Sequence, residues 1–295
     1  MTKHFKTFFN ALTTAFDKWW EKDPFKESAV IAYYAIFALP GLLVVIVIFS
    51  EYLFGQEAVN GQIAGKITAT LGAETAYQIQ DIIVRGTMSK NSMWATIFGI
   101  LTIIVGATGV FAQFQKSLNT IWHVKADETK SGIWSLVKVR LFSFGVLIAV
   151  DFILIVSLVI SATLSLISTW VTYHFSESLL IVLQIVNIVI SFLVLTSFFA
   201  IMFKYIPDAK IKWRHVWNGS LVTAFLFEIG KTGLGLYFGK VNPGSGYGAA
   251  GSIILILLWV SYSSMIVLYG AEFTHAYAEI IDGPIQPSEI AVKED

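Results

Sequence analysis

The residues of this chain that could do chemistry are ionisable and amide side chains that interrupt long apolar stretches. They are Asp151 in the third stretch, Asn187 in the fourth, and Glu228 and Lys231 in the fifth. Helical rise places the four side chains at depths of about 15 to 24 Å from the predicted cytoplasmic end of each stretch. A charge near the centre of a bilayer costs on the order of 3 kcal/mol, so these groups should face protein or water. We therefore treat them as a candidate site for a proton or a substrate on a transport path.

A structural role for the same residues is equally open. Glu228 and Lys231 are one helical turn apart and can pair with each other, fixing helix register while Lys231 reaches outward. Asp151 has no obvious basic partner, so it is protonated, pairs with Lys231 or touches water. Both roles predict an inward-facing polar layer.

Six apolar stretches carry these residues, and each is long enough to cross a bilayer, which needs about 20 apolar residues in helical form. They run over residues 29–49, 94–113, 141–172, 179–203, 216–238 and 249–271. The composition agrees, because 56% of residues are hydrophobic and 14% are charged. We predict an all-α, polytopic membrane protein with six transmembrane helices and short amphipathic interfacial helices.

Basic residues are distributed unevenly between alternate loops. Fifteen Lys and Arg residues occupy the first 28 residues, the second and fourth loops and the tail, against four in the remaining loops. Basic loops stay in the cytoplasm, so both termini are predicted to be cytoplasmic. The net charge of zero argues against nucleic acid as a partner, and the absence of cysteine excludes disulfides and thiolate metal sites.

The extramembrane segments are short. Residues 1–28 form a cytoplasmic amphipathic segment that either lies on the cytoplasmic leaflet or packs under the bundle. The transmembrane domain covers residues 29–278, with an outer loop at 50–93, and Pro40 should kink its first span beside the site. Residues 279–295 form a polar cytoplasmic tail, which we expect to be disordered after Gly283.

Motifs for chemistry on soluble substrates are weak. Gly246, Gly248 and Gly251 have the spacing of a dinucleotide fingerprint, but a proline turn precedes them rather than a strand. The same segment lacks the pore helix expected before a potassium filter. None of the five histidines pairs with another at metal-ligand spacing, so each is expected to be a plain interfacial residue. We expect no enzymatic activity, no cofactor and no metal.

Several short motifs together resemble the YihY/BrkB family of bacterial inner-membrane proteins. They are Ala32-Tyr33-Tyr34 with Pro40, Leu118-Asn119-Thr120-Ile121-Trp122, Ile206-Pro207-Asp208, Trp213, Gly219, Phe227-Glu228-Ile229-Gly230-Lys231, Tyr237, Tyr247-Gly248-Ala249-Ala250-Gly251-Ser252, Leu257-Leu258-Trp259, Tyr262 and Gly270-Ala271-Glu272. The chain departs from the family at Ala38, which replaces a serine, and Pro40 stands one position early. The resemblance implies six spans and an inner-membrane location, but no role for the missing hydroxyl.

The resemblance also bears on function. The family is suspected of transporting envelope lipids or ions, and an older ribonuclease label has no support in this sequence. Lys231 and Glu272 fall in family motifs, so Glu272 joins the candidate site, with a solvated cap near His275 as its alternative.

These observations lead to three expectations for function. A transporter or translocator of an envelope lipid or small ion comes first. A non-transporting scaffold or partner of envelope machinery is the alternative, and a ribonuclease is the least supported. Membrane lipids are the expected partners, with envelope proteins or a second copy of the chain as further candidates.

Overall fold

A computed structural model describes residues 2–38, 108–127, 177–241, 243 and 245–294. The chain divides into two compact units. The first contains Met1–Trp20, Gln115–Leu226 and Val267–Asp295, and the second contains Glu21–Phe114 and Phe227–Ile266. The predicted loop at 50–93, the third predicted span, Pro40 and Asp151 lie outside the described residues.

Six α-helices and four short strands make up the described part of the chain. The helices are α1 (Thr2–Glu21), α2 (described over 24–38), α3 (described over 108–121), α4 (Glu177–Tyr205), α5 (Trp213–Val241) and α6 (Gly251–Asp282). The strands are β1 (Val124–Ala126), β2 (Ala209–Lys210), β3 (Gln286–Pro287) and β4 (Ala291–Lys293). A 3₁₀ helix, Ser245–Ala250, leads directly into α6, so a helix and not a strand holds the glycine-rich segment.

Three of these helices are long and apolar enough to cross a membrane. The qualifying stretches are Ile185–Tyr205 in α4, Trp213–Val241 in α5 and Ile253–Asp282 in α6. They correspond to the fourth, fifth and sixth predicted spans, which are thereby confirmed as helices of membrane length. The first two predicted spans are described over 29–38 and 108–113, where the chain is helical. The total of six spans and the side of the termini stay predictions.

Local sequence explains where several helices begin and end. Pro24 opens α2 at a position where its missing N–H is not needed, and the Asp23 carbonyl accepts the first bonds of the helix. His123, with φ of 52°, follows α3, and Gly283, with φ of 79°, follows α6. A left-handed residue after the last turn is a common helix end, and glycine adopts it without a steric cost.

The first unit is held together by close contacts of α1 and α5 with α6. Ala11 and Ala15 of α1 are fully buried in a cluster with Phe273 of α6. The Tyr269 hydroxyl of α6 donates to the carbonyl of Leu12 at 3.2 Å. Of the two placements that the sequence left open for the N-terminal helix, the structure shows packing against a membrane-length helix.

Helices α5 and α6 approach each other through two reciprocal glycine–threonine contacts. A Cβ added to Gly219 of α5 would overlap the hydroxyl of Thr274, and one added to Gly270 of α6 would overlap the hydroxyl of Thr223. Each threonine donates to its own helix, Thr223 to the Gly219 carbonyl and Thr274 to the Gly270 carbonyl, both at 2.7 Å. The contact therefore buries two hydroxyls with their hydrogen bonds made.

The second unit contains two similar close approaches. The ring of Tyr34 in α2 lies against Gly109 of α3, where a Cβ would meet it at 2.5 Å. The ring and hydroxyl of Tyr262 in α6 lie equally close to Gly230 of α5. Glycine at these positions lets an aromatic ring lie directly on a helix backbone.

The C-terminal segment is ordered, so the prediction of a disordered tail is wrong. β4 pairs antiparallel with β1, and β3 pairs antiparallel with β2. The Ser288 N–H also donates to the Asp208 carbonyl at 2.9 Å, and Ala291 is buried. Main-chain hydrogen bonds hold this polar segment in place, and composition does not reveal them.

Candidate functional site

The predicted site residues that the structure describes are divided between the two units. Asp151 lies outside the described residues. Asn187 belongs to the first unit, where its Oδ1 is buried without a hydrogen-bond partner among the described residues. Glu228 and Lys231 belong to the second unit and contact each other, whereas Glu272 belongs to the first.

Glu228 and Lys231 form an ion pair close to the middle of α5. Lys231 Nζ lies 2.5 Å from Glu228 Oε2. Glu228 stands about 22 Å from the start of α5 and about 20 Å from its end, at 1.5 Å per residue. The Glu228 and Lys231 side chains are 37% and 43% exposed, respectively, so the pair is only partly buried. The prediction that the two side chains can pair is confirmed, and the inward-facing polar layer stays a prediction.

The pair lies on the flank of α5, between a packed face and an exposed apolar face. Gly230 and Phe238 are buried, whereas Ile229 and Leu236 are 55% and 60% exposed. At about 100° per residue, Glu228 lies midway between Phe238 and Leu236 around the helix axis. Hydrocarbon cannot solvate the exposed part of these charges, so the flank needs water or lipid headgroups beside it.

Further polar contacts on neighbouring helices of the second unit escaped the sequence reasoning. The hydroxyls of Ser28 in α2 and Ser261 in α6 lie 3.0 Å apart, and Ser28 is fully buried. Gln113 of α3 donates to Glu27 of α2 at 3.2 Å. Ser261 adjoins Tyr262, whose ring lies on Gly230. Gly230 stands between Glu228 and Lys231 in the sequence of α5, so the two serine hydroxyls lie at about the same level along the helices as the ion pair.

Glu272 is buried, so the alternative of a solvated cap is wrong. It is 1% exposed in the first unit, one helical turn before the buried His275. The His275 ring lies 5.3 Å between centroids from the rings of both Trp122 and His123. A carboxyl group and two imidazoles therefore occupy the region where α6 meets the end of α3.

A second buried histidine has an acidic partner that sequence spacing did not indicate. Nε2 of His215, at the start of α5, lies 2.6 Å from Oδ2 of Asp282, the last residue of α6. Arg214 Nη2 lies 2.7 Å from Oδ1 of the same carboxylate, and Lys212 Nζ lies 3.0 Å from Oδ2. His215 is therefore not the plain interfacial residue that was expected.

Asp208 joins three segments of the first unit. The Asn119 side chain donates to Asp208 Oδ2 and accepts from the Asp208 N–H, both at 2.8 Å. Gln115 donates to the same carboxylate at 3.3 Å, and the Asp208 carbonyl accepts from Ser288. Burial raises the pKa of the Asp208 carboxyl, and the hydrogen bonds from Asn119 and Gln115 partly oppose this rise.

These clusters are suited to binding and to fixing helix ends. Within the residues that the structure describes, no three His, Cys, Asp or Glu side chains converge as metal ligands would. The contacts of His215 and Asp208 bridge 67 and 89 residues of sequence, respectively. Sequence motifs flagged Asn119 and Asp208, but nothing in their spacing indicated that the two side chains meet.

Comparison with known proteins identifies the family. The model of the family described as "Virulence factor BrkB" matches residues 15–290. A UPF0761 membrane protein of Verminephrobacter eiseniae is 26% identical over 263 residues, covering 86% of this chain and 58% of the relative. A UPF0761 membrane protein of Saccharophagus degradans is 26% identical over 266 residues, covering 88% of this chain and 57% of the relative.

A UPF0761 membrane protein of Pseudoalteromonas atlantica is 27% identical over 251 residues and covers 83% of this chain and 78% of the relative. The chain thus spans less than two thirds of the length of the first two relatives. No solved structure matches it. The match over residues 15–290 and the membrane-length helices agree, and the chain is an integral membrane protein that belongs to the BrkB virulence factor family.

Proposed function

We propose that this protein is a transporter or translocator of the bacterial inner membrane, with both termini in the cytoplasm, that moves an envelope lipid or a small ion. The observation that carries the proposal is the Glu228–Lys231 pair, which lies near the middle of a membrane-length helix and is incompletely covered by protein. A pair kept for helix register alone is best sealed, because its exposed part would otherwise face hydrocarbon.

The position of the pair favours a lipid over an ion. A lipid can pass its headgroup along a polar flank while its acyl chains stay in the bilayer, so a half-open site suits it. An ion on an enclosed path would need protein on all sides to replace its hydration shell. A carboxylate beside an ammonium also offers complementary charge to both the amine and the phosphate of a zwitterionic headgroup.

A non-transporting scaffold remains the alternative, in which the pair only orients α5 within the assembly. The proposed activity uses no catalytic step, no cofactor and no nucleic acid. The two functions differ in one respect that can be measured. Transport requires a carboxylate at 228 and an ammonium at 231. A scaffold requires only that the two positions form an ion pair, whichever residue carries which charge.

The test is flux in proteoliposomes made with the purified chain, measured for a fluorescent zwitterionic phospholipid and, separately, for protons and alkali cations. Glu228→Gln and Lys231→Met should each reduce flux by about tenfold, which is roughly 1.4 kcal/mol. The matched control is Lys240→Met, which removes a lysine from the last turn of the same helix. It should leave flux unchanged.

The double variant Glu228→Lys/Lys231→Glu separates the two functions. It keeps an ion pair one turn apart but exchanges its charges, so a transporter should stay impaired while a scaffold should be unaffected. Wild-type protein that moves neither lipid nor ions above empty vesicles would contradict the proposal, as would folded single variants with unchanged flux. Lipid flux without ion flux supports the lipid substrate, and the reverse supports the ion.

A further inference from the structure

Helix α1 carries an aromatic stripe whose side chains are half or more exposed. The stripe consists of Phe5, Phe9, Phe16 and Trp20, which are between 50% and 68% exposed. At about 100° per residue, these four side chains fall within about 60° of one another around the helix. Large aromatic side chains in one such row are unusual on a surface that meets only water.

The adjoining face of α1 is anchored to α6. Phe8 lies 5.2 Å between ring centroids from Phe273, and Trp19 lies 5.9 Å from Tyr269. Lys18 Nζ adds an ion pair to Glu279 of α6 at 3.2 Å. The apolar face of α1 is therefore wider than the part of it that contacts α6. The aromatic stripe lies beside that contact.

The contacts along α6 also give the depth of α1. It contacts α6 from Tyr269 to Glu279, and the start of α5 contacts α6 at Tyr277 and Asp282. A cluster of exposed aromatic rings lies where α4 ends and α5 begins. Its members are Tyr205, Trp213 and Trp217.

Exposed Trp and Tyr side chains at the ends of membrane-length helices mark the membrane–water interface. Tyr269 lies about 12 Å along α6 from Tyr277. Helix α1 therefore lies between that interface and roughly 12 Å below it, which is where interfacial amphipathic helices lie.

We infer that the aromatic stripe of α1 inserts into the headgroup–acyl boundary of the adjoining membrane leaflet while the neighbouring face stays docked on α6. The charge of the helix fits this occupant. Over Thr2–Glu21 the helix has three lysines against Asp17 and Glu21, a net charge of +1, and both carboxylates lie off the stripe around the helix. A second copy of the chain or a partner protein on the stripe is the competing occupant. The inference is independent of the proposed transport activity.

The test uses the absence of cysteine from the chain, which makes a single introduced thiol unique. Phe9→Cys and Phe16→Cys place a nitroxide spin label on the stripe, and the control Asp17→Cys places one on the neighbouring exposed, polar position. The full-length protein is reconstituted into vesicles of phosphatidylethanolamine and phosphatidylglycerol. Collision rates with oxygen, which concentrates in lipid, are compared with those for a water-soluble nickel chelate.

Labels at 9 and 16 should favour oxygen over nickel by several-fold relative to the label at 17. Equal nickel accessibility at all three positions would overturn the inference. So would strong spin–spin coupling between two labelled chains or immobilised labels shielded from both probes, because these results place protein on the stripe. A label that unfolds α1 is recognised because the Trp fluorescence of that labelled variant, which includes Trp19 and Trp20 of α1, would differ from the wild type.

Discussion

At the residue scale, two glycines determine how closely α5 and α6 can approach. A threonine side chain of the opposite helix lies directly against the backbone of each glycine, Thr274 against Gly219 and Thr223 against Gly270. Each threonine hydroxyl donates a hydrogen bond to a carbonyl of its own helix. Any side chain at either glycine would push the helices apart or displace a buried hydroxyl. The requirement is steric, because both glycines lie within regular helices.

Gly219→Ala and Gly270→Ala should therefore each destabilise the protein by about 1 to 3 kcal/mol, the usual range for overpacking. Thermal unfolding in detergent is the measurement. The matched control is Gly233→Ala on α5, where an added Cβ meets nothing within 4 Å. It should be neutral or stabilising, since alanine favours helices by about 1 kcal/mol over glycine. Equal losses in all three variants would rule out the steric explanation.

The buried Asp208 carboxyl should make stability depend on pH in an unusual direction. Because burial raises its pKa, the folded protein binds this proton more tightly than the unfolded chain does. The contribution of Asp208 to the free energy of unfolding should rise as pH falls from the raised pKa towards the ordinary value of 3.8. The difference in unfolding free energy between wild type and Asp208→Asn should grow over that range.

Asn119→Ala provides the control for this prediction. It removes a hydrogen bond that lowers the pKa of Asp208, so the pH dependence should begin at higher pH. A difference curve that is flat, or one that falls towards low pH, would show that the carboxyl is not desolvated in the folded state.

Sequence reasoning located some of these residues and missed others for a physical reason. Glu228 and Lys231 stand out because charge in an apolar stretch is costly wherever it faces. The His215–Asp282 pair was missed because each residue lies at a helix end, where charge is ordinary. Their contact depends on how two helices are placed, and that information is absent from local spacing.

At the element scale, the C-terminal segment joins two chain turns of the first unit. β4 pairs with β1 after α3, and β3 pairs with β2 between α4 and α5. Strands of two or three residues have no periodicity to detect, so the polar composition of the segment pointed to disorder instead. The sequence of α1 predicted an amphipathic helix, but it did not indicate that this helix packs on α6, because periodicity does not identify the partner of an apolar face.

Ser288→Pro should detach this segment, because proline has no N–H to donate to the Asp208 carbonyl. The expected loss is about 1 kcal/mol, the usual contribution of one such hydrogen bond. Hydrogen exchange of the amides in residues 286–293 measures it directly and should become faster.

Ser288→Ala is the matched control, since it keeps the N–H. The Ser288 hydroxyl is buried with no hydrogen-bond partner in the described chain, so alanine should leave stability equal or slightly higher. If the proline variant retains wild-type exchange rates, β3 and β4 do not depend on this bond.

At the scale of the whole molecule, hydrophobicity alone predicted a membrane protein. No knowledge of tertiary contacts was needed for that prediction. Apolar stretches of membrane length were sufficient to locate α4, α5 and α6, because the bilayer fixes the length of its helices. The faces that these helices present were not predictable in the same way. Glu228 and Lys231 lie on the flank of α5 instead of its packed face, and this position directs the proposal towards a lipid substrate.

The central claim is that water or lipid headgroups reach this flank, and thiol accessibility tests it with the ion pair intact. Gly235→Cys lies four residues after Lys231 on the same face, where an added Cβ meets nothing within 4 Å. The control Leu236→Cys lies at nearly the same depth on the exposed apolar face. In sealed proteoliposomes, a membrane-impermeant thiol reagent should modify the cysteine at 235 and spare the cysteine at 236. Protection of both cysteines would contradict the claim.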